Sequence, residues 1–75
     1  MNKIRRKEIR QAIELMEEAY EILEAVRDEE QEAFDNLPES FQYSERGSTM
    51  SDYILTLDDI LYNLDTGELA IIAEG

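Results

Sequence analysis

Thirty-six consecutive residues, Asn2 to Leu37, pass without a glycine or a proline, and apolar side chains recur through them at Ile9, Ala12, Met16, Ala19, Leu23, Val26, Ala33 and Leu37. The steps alternate between three and four residues except around Glu30, which places these side chains on one stripe of a helix. Glu, Ala, Leu, Lys, Arg and Gln, all good helix formers, fill nearly every other position. Asn2 suits the N-cap, and Pro38 makes Leu37 a poor helical residue. The spacing predicts helix one over ~3–36.

Beside that stripe stand Ile13, Tyr20 and Phe34 on one side and Leu15 and Ile22 on the other. A two-position seam serves one partner helix, and this stripe is wider. The extra contact comes either from the chain's own C-terminal segment or from further copies; Leu15, Ile22, Tyr20 and Ile13 are the candidate oligomer interface.

From Ser48 to Leu64 the helical pattern returns with Met50, Tyr53, Ile54, Leu57, Ile60, Leu61 and Leu64. Thr49 and Asp52 fit a capping box, with Ser48 and Ser51 as competing N-caps, so helix two is predicted from 49–51 to ~64. The following Asp65-Thr66-Gly67 is a fair turn signal between two apolar runs, but a lone two-stranded hairpin is marginal in water. Continued helix to ~73, at a cost of ~1 kcal/mol for Gly67, is the preferred reading. The expected fold is all-α: an antiparallel helical hairpin joined by a loop over 37–48, oligomerising into a bundle. It would bring the basic start of helix one near Asp65, Glu68 and Glu74.

Size makes outside help expected. A single domain of 75 residues has a core that usually supplies only ~3–5 kcal/mol. The absence of cysteine and histidine removes disulfides, thiolate and imidazole chemistry and most zinc sites. Self-association is the remaining reinforcement. Residues 1–10 lack the apolar run of a signal peptide, and no stretch is apolar enough to span a bilayer. A cytoplasmic location without membrane contact is the expectation.

The net charge of −12 is uneven: Lys3, Arg5, Arg6, Lys7 and Arg10 against Glu8 give residues 1–10 a charge of +4, leaving −16 on residues 11–75. Binding of that acidic body to a nucleic-acid backbone is disfavoured, since cations must displace counterions from phosphates. A basic partner suits it better. The acid either keeps a helix face solvated or imitates the charge of DNA toward a nucleic-acid-binding protein.

Residues 29–50, EEQEAFDNLPESFQYSERGSTM, are the most distinctive stretch. Pro38 can open a short helical turn and Gly47 can take a positive φ ahead of helix two. Structurally, Phe41 and Tyr43 would seal the end of the hairpin, Gln31 and Asn36 would cap backbone groups, and Arg46 would pair with an acid. Functionally, Phe41, Gln42, Tyr43 and Arg46 would form a recognition surface, with Arg46 as anion clamp and an aromatic as stacking platform.

This stretch, with its NLPES, Q-x-SERG and following Met, resembles a recurrent set of small acidic hypothetical proteins of phages, prophages and related mobile elements of gut and soil bacteria. The resemblance covers about the first 60 residues. In those relatives the C-terminal part continues as Glu-rich helix, whereas here it is more apolar and contains Gly67. The resemblance implies a viral or mobile-element setting, in which very small acidic proteins inhibit host machinery, and it attaches no catalytic residue.

Enzymatic activity is not expected. Neighbours such as Asp58 and Asp59 or Glu17 and Glu18 diverge on a helix. Asp28, Glu29, Glu30, Glu32 and Asp35 lack the oxygen spacing and glycine of a calcium loop, and Gly47, Gly67 and Gly75 are isolated, so no phosphate loop or cofactor site is expected either. Two functions lead, ahead of a structural or assembly role in the phage. One is inhibition of a host defence protein through the acidic surface. The other is an oligomeric sponge for a small anionic nucleotide, held by Arg5, Arg6 and Arg10 at the start of helix one or by Arg46.

Overall fold

The computed structural model describes Met1–Gly75 as four helices without a strand: α1 (Lys3–Asp35), α2 (Glu39–Gln42), α3 (Glu45–Asn63) and α4 (Gly67–Glu74). At 1.5 Å per residue α1 alone runs about 50 Å, and the molecule measures 58 × 14 × 13 Å. Its radius of gyration is 17.5 Å, against about 11 Å for a compact chain of this length. The result is a rod with little interior. Only Gly47, Ile54 and Ala73 are buried.

α1 begins as its sequence implies: the Asn2 side chain accepts a hydrogen bond from the Arg5 backbone N–H at 2.8 Å. At its far end the Asn36 N–H donates to the Glu32 carbonyl and Leu37 to that of Phe34 before Pro38 stops the helix. α3 and α4 pack along α1. Three contacts mark the register: Gln42 with the end of α1, Arg27 with Asp58 midway, and Arg10 with Ala73 near its start.

The expected 37–48 loop is largely helical. α2 occupies 39–42, and α3 starts at Glu45 instead of 49–51 because Ser44 takes the N-cap, accepting from the Gly47 N–H at 3.3 Å. Thr49 forms no capping box; its hydroxyl donates to the Glu45 carbonyl one turn back. Gly47 has no positive φ, since Gly75 alone does. Its role is steric: a Cβ there would overlap the carbonyl oxygens of Gln42 and Phe41, so α2 and α3 meet on its missing side chain. Gln42, not Gln31 or Asn36, satisfies the end of α1, donating to the carbonyls of Leu37 (3.2 Å) and Phe34 (3.4 Å). Gln31 bonds Asp35.

The C-terminal apolar run is helical, but neither a β-hairpin nor a continuation of α3. The Asp65 carboxylate accepts from the Gly67 N–H at 2.9 Å, an Asx turn that ends one helix and starts the next. Gly67 therefore stands at the first position of α4 and weakens no helix interior.

The side chains of α1 that turn inward are Ile9, Ile13, Met16, Tyr20, Leu23, Arg27, Glu30 and Phe34, a strict alternation of four and three that Leu37 continues just past the helix end. Ala12, Ala19, Val26 and Ala33 are exposed. This corrects the expected stripe by one position: Ile13, Tyr20 and Phe34 reach further across a helix pair than alanines and bury more area. The matching row of α3 is Gly47, Met50, Ile54, Leu57, Leu61 and Leu64, with Tyr53 and Ile60 left outside.

Arg27 sits in the α1 seam. Its Nε donates to Asp58 Oδ1 at 2.7 Å and its Nη2 to Oδ2 at 3.4 Å, a forked pair across the two helices, and Nη1 reaches Asp28 at 3.5 Å. The hydrogen bond to Asp58 is the main reason the guanidinium is held above its ordinary range; partial desolvation opposes it, and the Asp58 and Asp28 charges add to it. A raised basic pKa stabilises the fold below the unfolded-state value and loses that contribution only as pH rises through the folded one. Arg27 therefore adds no pH dependence near neutrality.

Candidate functional site

Helix geometry sorts the surface of α1 into two flanks, each about 100° from the inward seam. One carries Glu14, Glu17, Glu21, Glu24, Asp28, Glu32 and Asp35, every third or fourth residue and all exposed. The line extends about 32 Å at 1.5 Å per residue. The only cation within it is Arg27, which is engaged by Asp28 and Asp58. The ridge carries one charge per about 5 Å, a third of the density of duplex DNA at one per 1.7 Å. It is a charged rod and not a copy of the duplex.

The other flank carries Ala12, Leu15, Ala19, Ile22 and Val26. Leu15 is 59% and Ile22 64% exposed. Val26 shares a shallow apolar groove with Tyr53, Thr56 and Leu57 of α3, edged by Glu30. Of the four residues expected at an oligomer interface, Leu15 and Ile22 are thus free for one, while Ile13 and Tyr20 turn toward the chain's own return segment. Their size drew them into the intramolecular seam.

The candidate recognition residues of the turn divide. Gln42 is committed to the end of α1. Phe41 and Tyr43 are exposed, Tyr43 at 84%, and so do not seal the turn. Arg46 stands exposed in the first turn of α3 and makes no ion pair. The anion-binding potential of that helix start is already used, since Ser44 caps it and Glu45 precedes Arg46. Alanine at Arg46 should leave the melting temperature nearly unchanged, within ~0.5 kcal/mol of stability. If the turn is the recognition surface, the same protein should lose at least ~10-fold in partner affinity, the effect of ~1.4 kcal/mol.

The basic end divides likewise. Arg10 Nη2 donates to the Ala73 carbonyl at 3.0 Å, and the Arg6 guanidinium lies against Gly75. Arg10 thus serves a carbonyl at the end of α4, in place of the expected match with Asp65, Glu68 and Glu74, whereas the buried Arg6 Nε has no hydrogen-bond partner. Lys3, Arg5 and Lys7 project freely. The recesses beside the α3–α4 break are lined by Tyr20, Leu61, Tyr62, Leu64, Asp65 and Glu68 and by Glu17 and Glu21, without a cation. They would repel a phosphate and accept a basic side chain.

No three acidic side chains converge as metal ligands. No helix is long and apolar enough to cross a membrane. Comparison with protein families, with curated proteins and with solved structures gives no match to this chain.

Proposed function

We propose that this chain is a non-enzymatic binding protein of a phage or mobile element, an antiparallel helical hairpin that self-associates and inhibits a host protein by offering its acidic α1 ridge to a basic surface. The observation that carries the reading is the alignment of seven exposed acids on one flank, with their single neighbouring cation neutralised inside the fold. Scattered acid would serve solubility equally well. A one-sided ridge gives long-range attraction a direction, which speeds encounter and fixes register. The Tyr20–Tyr62 recess at the end of the ridge, edged by Asp65 and Glu68, suits a partner's Lys or Arg. The likeness to small acidic phage proteins supplies the setting, the host cytoplasm.

The test is capture of host proteins by the purified chain and by two charge-matched variants. One replaces Glu17, Glu21 and Glu24 by Gln; the other replaces Glu45 by Gln and Asp52 and Asp59 by Asn on the outer side of α3. The ridge variant should lose capture at least ~10-fold, and capture by the native chain should fall as salt shortens the Debye length to ~8 Å and below. Equal loss in both variants would reduce the ridge to net charge and sink the proposal.

A sponge for an anionic nucleotide is the second reading, favoured by the exposed grouping of Phe41, Tyr43 and Arg46 at the turn. It has less support: Arg10 is hydrogen-bonded within the fold, Arg6 packs against Gly75, and the recesses are acidic.

A further inference from the structure

We infer that the apolar flank of α1 is covered by a second copy of this chain running antiparallel to the first, with the two-fold axis passing beside Ala19. This rests on the self-association in the functional reading, but not on the basic host partner.

Area is the first argument. The chain exposes 6010 Å², whereas a folded monomer of 8.7 kDa is expected to expose about 4,700 Å². The excess, about 1,300 Å², exceeds the ~800 Å² per partner that a standard interface removes. Ala12, Leu15, Ala19, Ile22 and Val26 follow the three-four spacing of a two-position helix seam. The Tyr53 side of α3 borders the same flank at Val26, so pairing two copies makes a four-helix layer.

Charge selects the second copy and its direction. A two-fold axis at Ala19 sets Leu15 opposite Ile22 and Ala12 opposite Val26. It also brings the basic residues 1–10 of one copy to the level of the acidic residues 28–37 of the other, and Lys3, Arg5 and Lys7 have no ion-pair partner in their own chain. Parallel pairing would instead set +4 against +4 at one end and acid against acid at the other. The acidic ridges lie on the flanks away from the contact, so the dimer presents one on each side.

The chain has no cysteine, so single cysteines report the register directly. Ala19→Cys, an exposed position, should give a disulfide-linked dimer on mild oxidation, since its Cα meets its own copy within the ~7 Å a disulfide tolerates. Ala12→Cys and Val26→Cys should each stay uncross-linked alone and cross-link when mixed. Self-cross-linking of all three would overturn the antiparallel arrangement. Light scattering of the native chain should give twice the monomer mass, and Leu15→Glu with Ile22→Glu should return it to monomer with helicity retained; a native chain that is monomeric at high concentration would overturn the second copy altogether. None of these readouts needs the host partner. Failure here leaves the ridge proposal standing, and failure of host capture leaves the dimer standing.

Discussion

Alanine at position 47 is expected to destabilise the fold by about 2–3 kcal/mol, although the same exchange in an ordinary helix interior stabilises by up to ~1 kcal/mol. Gly47 lies inside α3 with an ordinary helical φ, so it is not required for backbone freedom. Its Cα faces the Phe41 and Gln42 carbonyls of α2, and the added methyl overlaps both oxygens. Those oxygens cannot withdraw alone. The Phe41 carbonyl accepts from the Ser44 hydroxyl and N–H, and the Gln42 side chain holds the end of α1. The methyl therefore strains two helix ends together. Gly67→Ala is the control: its nearest neighbour is the tip of the Asp65 side chain at 3.2 Å, which can shift, so the change should stay within ~0.5 kcal/mol. Urea unfolding followed by circular dichroism, at one fixed protein concentration because the proposed self-association would contribute to stability, compares the two. Equal stability of the two variants would contradict the packing of the turn.

The all-helical character and the reach of α1 were legible because nothing between Asn2 and Leu37 breaks a helix and because the caps are local. Asn2 and Pro38 act within four residues of themselves. The inward face was harder to read. Two phases of the same repeat compete, and hydropathy favours the wrong one, since Val26 continues it where the true seam places Arg27, and Glu30 interrupts both. Volume and an ion pair decide the matter: Ile13, Tyr20 and Phe34 fill the gap between helices, and Arg27 is tolerated in the seam because Asp58 lies opposite. That partner is 31 positions away, beyond any local pattern.

The turn was misread for a related reason. Ser44 competes as N-cap with Ser48, Thr49 and Ser51, and the choice depends on whether α2 can close over a residue without a side chain, which Gly47 permits. Of the candidate site residues, Arg5, Phe41, Tyr43 and Arg46 are exposed, whereas Gln42 and Arg10 are hydrogen-bonded within the fold and Arg6 packs against Gly75. The acidic ridge was present in the sequence as a three-four recurrence, but net charge obscured it. Its one-sidedness became visible only when the apolar phase was fixed.

Ile54→Ala should cost about 2–4 kcal/mol, the usual range for deleting most of a buried aliphatic side chain. Ile54, at 6% exposure, is the only large side chain buried in this rod, and it lies in the α3 row that faces α1. A domain of this size has ~3–5 kcal/mol in total. The variant should therefore be largely unfolded at dilution and recover helicity as its concentration is raised, because the proposed pairing would stabilise only the folded form. Tyr62→Ala on the same helix removes a larger side chain that is 85% exposed and should change stability by no more than ~0.5 kcal/mol. The pair is read by thermal unfolding over a series of concentrations. If Ile54→Ala melts with Tyr62→Ala, burial of Ile54 between α3 and α1 does not hold the rod together.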